Sequence, residues 1–217
     1  CNYLVDVVRE HYPKQNLHVF VEGIDSSKWY TEKGIELKHP CVGLVQRAHH
    51  WAKSSEMLIL KKILDKMPEV NFYWAGGGEI EDEILSELDG FENFHWLGSL
   101  QYPDKVREFL SEIDVYLLPT GMETTPLSLK EAQLMKKPVI TTNVGGTSET
   151  MIDSITGFLV EKGNHEQLIE KLELLLDDKK LSEQMGEAGR KFVQEKFSME
   201  FSVKNCLNII RQYHIQK

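Results

Sequence analysis

The most constraining feature of this sequence is a regular alternation between short apolar runs and stretches with the amphipathic periodicity of a helix. Because a tight turn cannot join parallel strands, strands separated by helices predict βαβ units and a parallel sheet. The apolar runs are continuous, which is typical of strands that helices cover on both faces. We therefore predict a doubly wound α/β sheet from the runs CVGLVQ, NFYWA, NFHWLG, DVYLLP, PVITT and GFLV.

The two ends of the chain depart from this alternation. The run HVFVEG, residues 18–23, predicts a further short strand that ends in a Gly turn. After Val160 the pattern becomes wholly helical. We find no internal repeat, low-complexity tract or linker that divides the chain, and its length is ample for a buried core. We therefore expect one domain over residues 1–217 with a helical C-terminal tail.

The charge and the cysteines of the chain exclude several classes of protein. A formal net charge of -9 argues against a general nucleic-acid binder, although it leaves room for a local basic pocket. The cysteines, Cys1, Cys41 and Cys206, are far apart and lack CxxC spacing, which favours reduced thiols over a disulfide or zinc framework. No apolar stretch approaches the roughly 18 residues of a membrane helix, and no signal peptide is visible. We expect a cytoplasmic protein.

Loops rich in polar residues follow four of the predicted strands. In a doubly wound sheet the ligand sits outside the carboxyl ends of the strands, so these loops should converge on one edge of the sheet. The loops are RAHHWAK, GGGE, GSLQY and PTGMETTP. Their convergence predicts a binding site more strongly than any single motif among them.

The loop PTGMETTP leads into a helix that we predict from Leu127 to Lys136. Pro126 suits the first position of this helix, because it lacks the N–H group that would be unpaired there. The first free amides, those of Leu127 and Ser128, would then point out at the edge of the sheet. A helix N-terminus of this kind binds phosphate through its amides and its dipole.

Two carboxylates flank this predicted anion site. Glu123 lies in the loop before the helix, and Glu131 lies inside the helix, more than a turn beyond its start. A carboxylate does not strengthen phosphate binding, but it accepts hydrogen bonds from hydroxyl groups on either side of a phosphate. A nucleoside diphosphate sugar has this arrangement of hydroxyls. The alternative is that Glu123 is an ordinary loop acid and Glu131 a solvated helix residue.

The loop RAHHWAK offers positive charge for the phosphates. Arg47 can bind a phosphate through two hydrogen bonds and Lys53 as a point charge, although both would also suit a solvated surface. We expect no metal at His49 and His50, because adjacent loop residues rarely bind a metal without further ligands. The next stretch, SSEMLILKKILDKM, predicts a helix with a serine pair as its N-cap.

The order of these motifs resembles that of a known family. The segments concerned are EGIDSSKWY, VGLVQRAHHWAK, WAGGGE, WLGSL, DVYLLPTGMETTPLSLKEA, PVITTNVGG and TGFLV. In this order they resemble the retaining GT-B glycosyltransferases of family 4, the group 1 glycosyltransferases, over nearly the whole chain. The most specific part is the pair of glutamates, followed by the helix, the strand and the GG run.

The resemblance implies a role for each residue that matches a motif of the family. Arg47 and Lys53 match the pair on the donor pyrophosphate, and Glu123 matches the glutamate at the donor sugar. We expect these three to be the catalytic residues. Glu131 matches the glutamate that holds the ribose.

Further residues are expected to bind the donor without acting on the reacting group. They are Leu100, Tyr102, Thr124, Thr125, Pro126, Leu127 and Ser128. The first two lie where the family contacts the nucleobase, and the amides of the last two match those that face the phosphate. The family commonly has an aromatic residue and a glycine where this chain has Thr125 and Pro126, although a proline also occurs there. Leu44 stands where an arginine often follows the strand glycine, so the Arg47 assignment rests on its spacing to Lys53.

The resemblance covers one half of a GT-B fold, the Rossmann-like domain that binds the donor. Residues 1–40 are expected to form an N-terminal helix and a linking strand, and residues 197–217 a helix that crosses back toward the missing acceptor domain. The chain begins with Cys rather than Met, so we expect a piece of a longer enzyme. That enzyme would transfer a sugar from a nucleotide diphosphate sugar to a hydroxyl of a glycan, lipid or small-molecule acceptor, with retention of configuration.

The resemblance also bears on cofactors and partners. It implies no metal and no other cofactor, because cationic side chains and the helix end take the place of a metal. No nucleic acid is expected as a partner, and the full-length enzyme is expected in the cytoplasm, with peripheral contact to a membrane left open. Two alternatives also stay open, a GT-B-type epimerase that acts on the same donors and a non-catalytic nucleotide-binding module.

Overall fold

Six parallel strands form one sheet in the computed structural model, which describes residues 1–215. The strands are β1 (Cys41–Val45), β2 (Asn71–Ala75), β3 (Phe94–Gly98), β4 (Val115–Leu118), β5 (Val139–Thr142) and β6 (Gly157–Val160). Their order is β3-β2-β1-β4-β5-β6, with every neighbouring pair parallel. The winding reverses between β1 and β4, so a crevice opens outside the carboxyl ends of these strands. The predicted doubly wound, Rossmann-like sheet is confirmed.

Helices cover both faces of the sheet and form the C-terminal tail, as predicted. They are α1 (Asn2–His11), α2 (Trp51–Ser54), α3 (Leu60–Lys66), α4 (Glu81–Leu88), α5 (Asp104–Glu112), α6 (Leu127–Leu134), α7 (His165–Asp177), α8 (Lys179–Lys196) and α9 (Met199–Ile215). The last two residues of the predicted crossover helix, 216–217, lie outside the described residues. Within the described part of the chain, no helix is both long and apolar enough to cross a membrane.

Strand β4 shows how the sheet separates two apolar layers. Val115 and Leu117 are buried among residues of α3 and α7 on one face. Tyr116 and Leu118 are buried among residues of α5, α6 and α8 on the other face. Because successive side chains of a strand point to opposite faces, a strand with both faces covered must be apolar throughout. This is the physical reason for the continuous apolar runs in the sequence.

The strand predicted at residues 18–23 is absent, so the expected linking strand is wrong. Hydrogen bonds from the start of α9 satisfy this segment instead of a neighbouring strand. The Ser202 hydroxyl donates to the carbonyl of Val21 at 2.6 Å, and the side-chain oxygen of Asn205 accepts from the amide of Val21 at 3.2 Å. The next contact is a single bridge between Ile24 and Ser198. The segment therefore joins the C-terminal helix rather than the sheet.

The helix after β1 begins earlier than predicted. Helix α2 starts at Trp51, and a 3₁₀ turn over Ser55–Ile59 connects it to α3. Ser54 lies at the N-cap of this 3₁₀ turn, but its side chain does not cap the turn, because its hydroxyl donates to the carbonyl of Arg47 at 3.1 Å. Lys53 therefore lies on a helical turn rather than in the loop where the sequence pattern had put it. This turn fixes the distance of Lys53 from the end of β1.

Candidate functional site

A cavity of about 430 Å³ lies at the carboxyl edge of the sheet, where β1 and β4 diverge. The ends of β1, β2 and β4 form its floor, and the loops after them form its walls. Its lining is Val45, Gln46, Arg47, Lys53, Ala75, Gly76, Ser99, Leu100, Tyr102, Val106, Leu118, Glu123, Thr125, Pro126, Leu127, Ser128 and Glu131. Every residue predicted for the site is in this set except Thr124, which is exposed on the loop outside.

The N-terminus of α6 opens into the cavity. Pro126 is the N-cap, with φ -61 and ψ 121, and the helix begins at Leu127. The predicted helix start at Leu127 is confirmed, but Pro126 is the N-cap rather than the first helical residue, because its extended ψ turns the chain into the loop. The helix also ends at Leu134, before Lys136 adopts a left-handed φ of 59.

The first amides of α6 are free for a ligand. Among the described residues, none accepts a hydrogen bond from the amides of Leu127 and Ser128, and Pro126 offers no side-chain cap. Helix ends usually satisfy these groups by a cap, by water or by a ligand. Together with the positive end of the helix dipole, they form a site suited to an anion.

Lys53 and Glu123 form an ion pair at the mouth of the cavity. The side chain of Glu123 is only 10% exposed and that of Lys53 is 32% exposed. One backbone hydrogen bond links the segments that carry them, since the amide of Gly121 donates to the carbonyl of Lys53 at 2.8 Å. The pair offers a ligand one cation and one carboxylate side by side.

Glu131 also lines the cavity and is 3% exposed. Its Oε1 accepts a hydrogen bond of 3.0 Å from the hydroxyl of Tyr102. Burial raises the pKa of Glu131 from 4.5 to about 7, while the hydrogen bond from Tyr102 and the charge of Lys130 act in the other direction. Glu131 is therefore no solvated helix residue, and its contact with Tyr102 could not be predicted from the spacing of the two residues.

Arg47 is the unpaired cation of the cavity. Its side chain is exposed, and within residues 1–215 its guanidinium makes no hydrogen bond and no ion pair. Its backbone is held in place by two hydrogen bonds. The carbonyl of Arg47 accepts one from the hydroxyl of Ser54, and the amide of the next residue, Ala48, donates one of 3.0 Å to the carbonyl of Gly77. The guanidinium is therefore available for an anionic ligand, and the backbone that carries it is fixed at the rim of the cavity.

Residues 25–192 match the sequence profile of a family described as Glycosyl transferases group 1. The chain belongs to this family. Among its relatives, the capsular polysaccharide biosynthesis glycosyltransferase CapM of Staphylococcus aureus is 42% identical over 92 residues, which are 42% of this chain and 24% of CapM. This group 1 glycosyl transferase chain thus spans only part of the length of the curated relatives that it matches.

Solved structures share the fold. A glycosyltransferase from Rickettsia africae superposes with a TM-score of 0.82 at 22% identity, covering 97% of this chain and 61% of the other. HepE of Anabaena, solved in complex with UDP-glucose, superposes with a TM-score of 0.72 at 19% identity, covering 88% of this chain and 56% of HepE. At these identities the likeness establishes the architecture alone.

Two glycines that sequence reasoning left without a role hold the Glu123 loop of this group 1 glycosyl transferase. A Cβ on Gly145 would lie 1.9 Å from the carbonyl oxygen of Glu123, and one on Gly146 would lie 2.1 Å from that of Thr124. The amide of Gly146 also donates to the Glu123 carbonyl at 3.1 Å. Only glycine permits this approach of two backbones. The GG run was visible in the sequence, but its partner was not.

Tyr116 is a further residue that sequence reasoning missed. Its hydroxyl lies 2.7 Å from Oγ of Ser128 and 3.2 Å from the carbonyl oxygen of Val45, inside the protein. It therefore ties the first turn of α6 to the end of β1. A tyrosine in an apolar run gives only a weak signal for this role, because most such residues simply pack in the core.

A group of potential metal ligands lies at the opposite edge of the sheet. His39, Cys41 and Asp114 bring one donor atom each within 4.8 Å of one another. Asp114 already accepts hydrogen bonds of 2.8 Å from the ring of His39 and from the amide of Cys41. Burial raises the pKa of the Cys41 thiol to about 12, which disfavours the thiolate that binds metals. Through these contacts the group joins the start of β1 to the residue before β4.

Proposed function

We propose that the chain is the donor-binding half of a glycosyltransferase that uses a nucleotide diphosphate sugar. The complete enzyme would transfer the sugar to an acceptor hydroxyl with retention of configuration. One observation carries this proposal, namely that a single cavity is lined by the unpaired Arg47, the start of α6 with its free amides, and two separate carboxylates, Glu123 and Glu131. This set of groups complements a diphosphate with hydroxyl groups at both ends.

The diphosphate is assigned to the centre of the cavity. Arg47 and Lys53 supply charge, and the amides of Leu127 and Ser128 supply neutral donors on the helix axis. Hydrogen bonds between cationic groups and phosphate oxygens are stronger than neutral ones, and a helix end adds to them. In the transfer step the same groups would stabilise the charge that develops on the departing diphosphate.

The ribose is assigned to Glu131. A buried carboxylate that already holds one hydroxyl, that of Tyr102, is suited to accept hydrogen bonds from ribose hydroxyls as well. These donors favour the charged form, so donor binding should lower the pKa of Glu131 and release a proton. Leu100, on the adjacent wall, gives an apolar surface for the nucleobase.

The transferred sugar is assigned to the Glu123 side. Glu123 is paired with Lys53, so its carboxylate is suited to orient a sugar through hydrogen bonds and is poorly suited to act as a nucleophile. We therefore propose attack by the acceptor on the face from which the diphosphate leaves, which retains configuration. HepE, which shares this fold, was solved with UDP-glucose, and this supports a donor of the same class.

A thermal-unfolding panel with UDP-, GDP- and ADP-sugars tests the proposal on this chain. A ligand at about 100 times its dissociation constant adds about 2.7 kcal/mol to the free energy of unfolding, which is a measurable shift. We expect one nucleotide class to stabilise the chain clearly more than the others. No stabilisation by any of them, with binding also absent by calorimetry, would contradict the proposal.

A further inference from the structure

Two hydroxyl groups lie in contact at the start of α6, and the proposed function uses neither of them. They belong to Tyr116, on β4, and to Ser128, in the first turn of the helix. The Tyr116 hydroxyl lies 2.7 Å from Oγ of Ser128 and 3.2 Å from the carbonyl oxygen of Val45. Ser128 and Val45 line the cavity, whereas Tyr116 is fully buried behind its lining.

The ring of Tyr116 lies on the same face of the sheet as the cavity. Tyr116 and Leu118 are two positions apart on β4, so their side chains point to the same face. Both belong to the apolar cluster that also contains Ala75, and Leu118 and Ala75 line the cavity. Because close packing holds a buried ring in one orientation, the Tyr116 hydroxyl stays at one place, against the first turn of α6.

The Tyr116 hydroxyl has one hydrogen and two acceptors within reach. If the hydrogen goes to the carbonyl of Val45, the hydrogen of Ser128 must lie between the two hydroxyl oxygens, and Ser128 has none left for a ligand. If it goes to Oγ of Ser128, the nearer of the two oxygens, the Ser128 hydrogen is free. Among residues 1–215, Tyr116 is the only hydrogen-bond partner of the Ser128 hydroxyl. The two arrangements therefore offer the cavity either an acceptor or a donor.

Tyr116 keeps its hydrogen in both arrangements. Burial raises the pKa of its hydroxyl, and although the hydrogen bonds with Ser128 and Val45 act in the other direction, the charges of Glu131 and Glu123 raise the pKa further. The hydroxyl therefore remains protonated across the physiological pH range and is a permanent donor to one of its two acceptors.

A phosphate at the start of α6 selects between the two arrangements. Phosphate oxygens only accept hydrogen bonds, so they favour the arrangement in which Tyr116 donates to Ser128 and Ser128 donates to the ligand. The free amides of the helix end already make this position suited to an anion. A chain of hydrogen bonds that all run in one direction also polarises its members, which strengthens the last bond of the chain.

We infer that the Ser128 hydroxyl donates a hydrogen bond to the diphosphate and that Tyr116 is the positioning residue that orients it. The inference rests on the proposed function and adds a side-chain donor to the cations and amides assigned there. Tyr116 acts through Ser128 and does not touch the ligand. Loss of either hydroxyl should therefore affect the same single contact.

The first test compares Ser128→Thr with Ser128→Val, two side chains of the same shape that differ in a hydroxyl and a methyl group. Calorimetry on this chain would measure the affinity of each variant for a nucleoside diphosphate and for the bare nucleoside. We expect Ser128→Val to bind the diphosphate about tenfold more weakly than Ser128→Thr, because it lacks one hydrogen bond to a charged group. The affinity for the nucleoside should be the same in both. Ser128→Ala, which adds no bulk, should show the same loss relative to the unaltered chain.

The second test removes the Tyr116 hydroxyl. Tyr116→Phe should weaken diphosphate binding about threefold in the unaltered chain and in Ser128→Thr, and should have no effect in Ser128→Val or Ser128→Ala. Tyr73→Phe is the matched control. Tyr73 is 6% exposed, belongs to the same apolar cluster and lies outside the cavity, and its hydroxyl accepts the amide of Lys38 at 2.9 Å. This control should leave the affinity for the diphosphate unchanged.

Hydrogen exchange distinguishes orientation of Ser128 from support of the helix. If Tyr116→Phe weakened binding by displacing α6, the amides of α6 would exchange faster in the free chain than they do in Tyr73→Phe. We expect equal exchange of α6 in the two variants. Faster exchange of α6 in Tyr116→Phe alone would give Tyr116 a purely structural role and would contradict the inference.

The remaining outcomes separate this inference from the proposed function. If the unaltered chain binds the diphosphate and both Ser128→Val and Ser128→Ala bind it equally well, the Ser128 hydroxyl does not reach the phosphates and the inference is wrong. Equal losses from Tyr116→Phe in every Ser128 background would also contradict it. If the unaltered chain binds no nucleoside diphosphate, the proposed function fails, and this inference fails with it.

Discussion

Arg47 and Lys53 carry the same charge in different surroundings. The guanidinium of Arg47 is exposed and lacks a partner among the described residues, whereas Lys53 is paired with Glu123. Removing Lys53 therefore does two things at once, since it deletes a cation and leaves a mostly buried carboxylate facing the diphosphate. The two residues should differ in how much they contribute to binding.

Arg47→Ala and Lys53→Ala should each weaken binding of a nucleoside diphosphate, by about 1.5–3 kcal/mol, with Lys53→Ala at the upper end. Binding of the bare nucleoside should change little, and calorimetry with both ligands measures the difference. Lys61→Ala is the matched control, because Lys61 pairs with Glu87 at 2.6 Å outside the cavity. Equal losses for nucleoside and diphosphate would show that the two cations do not lie at the phosphates.

Glu131 should make stability depend on pH. Burial raises its pKa from 4.5 to about 7 in the folded chain. A raised pKa means that the stabilising contribution of the protonated carboxyl is fully present below about pH 4.5 and is lost as the pH rises through about 7. Glu131→Gln stays neutral, so relative to this variant the unaltered chain should lose about 3 kcal/mol between pH 4.5 and 8. Urea unfolding across that range measures the effect, and parallel curves for the two proteins would contradict it.

At the scale of elements, the Glu123 loop depends on the glycine pair beyond β5. Gly145 has a φ of 55, and a Cβ there would meet the carbonyl of Glu123. Gly163 has a similar φ of 77 but open space where its Cβ would lie. The two positions share the cost of a left-handed backbone and differ only in the contact. Their comparison therefore isolates the packing of the loop.

Gly163→Ala should lower the free energy of unfolding by about 1–2 kcal/mol, the cost of an L side chain in the left-handed region. Gly145→Ala should cost more, and it should also weaken binding of the nucleotide sugar because the loop that carries Glu123 must shift. Chemical denaturation and calorimetry on both variants provide the comparison. Equal destabilisation with unchanged binding in both would show that the glycine pair does not position Glu123.

Strands and helices could be predicted from the sequence where the local residue pattern agrees with the surroundings of that segment in the fold. Strands β1 and β4 follow from continuous apolar runs, because both of their faces are buried. Strand β3, at the edge of the sheet, is only partly buried and includes His95. HVFVEG has the same local pattern, yet its hydrogen bonds go to α9, a partner far away in sequence. The fixed φ of Pro126 suits both the N-cap and the first helical position. Its ψ, which the loop determines, places it at the N-cap.

At the scale of the whole molecule, the edge that carries the site was predictable and its buried contacts were not. Parallel strands send their polar loops to one edge, which brought Arg47, Glu123 and Glu131 together in the prediction. The contact of Glu131 with the hydroxyl of Tyr102 depends on three-dimensional burial. Sequence spacing carries no information about such burial.

The chain alone should bind a nucleotide yet transfer no sugar. All matched residues lie on the donor side, and the chain spans 24% of CapM and 61% of the Rickettsia structure. Apolar residues on α9, namely Val203, Leu207 and Ile210, are exposed; that this helix crosses back toward a further domain stays a prediction. A transfer assay with candidate acceptors, run on this chain and on a longer protein that contains it, checks this. Robust transfer by the chain alone would contradict the prediction.

The central claim is that Glu123 and Glu131 hold opposite ends of one donor, with the diphosphate between them. Calorimetry of Glu123→Ala and Glu131→Ala with a nucleoside diphosphate and with the intact nucleotide sugar tests it directly. Glu131→Ala should weaken the binding of both ligands by the same factor, because both contain the ribose. Glu123→Ala should leave the affinity for the nucleoside diphosphate nearly intact and weaken only the nucleotide sugar. If Glu123→Ala impairs nucleoside diphosphate binding as strongly as Glu131→Ala, the proposed division between the two carboxylates is wrong.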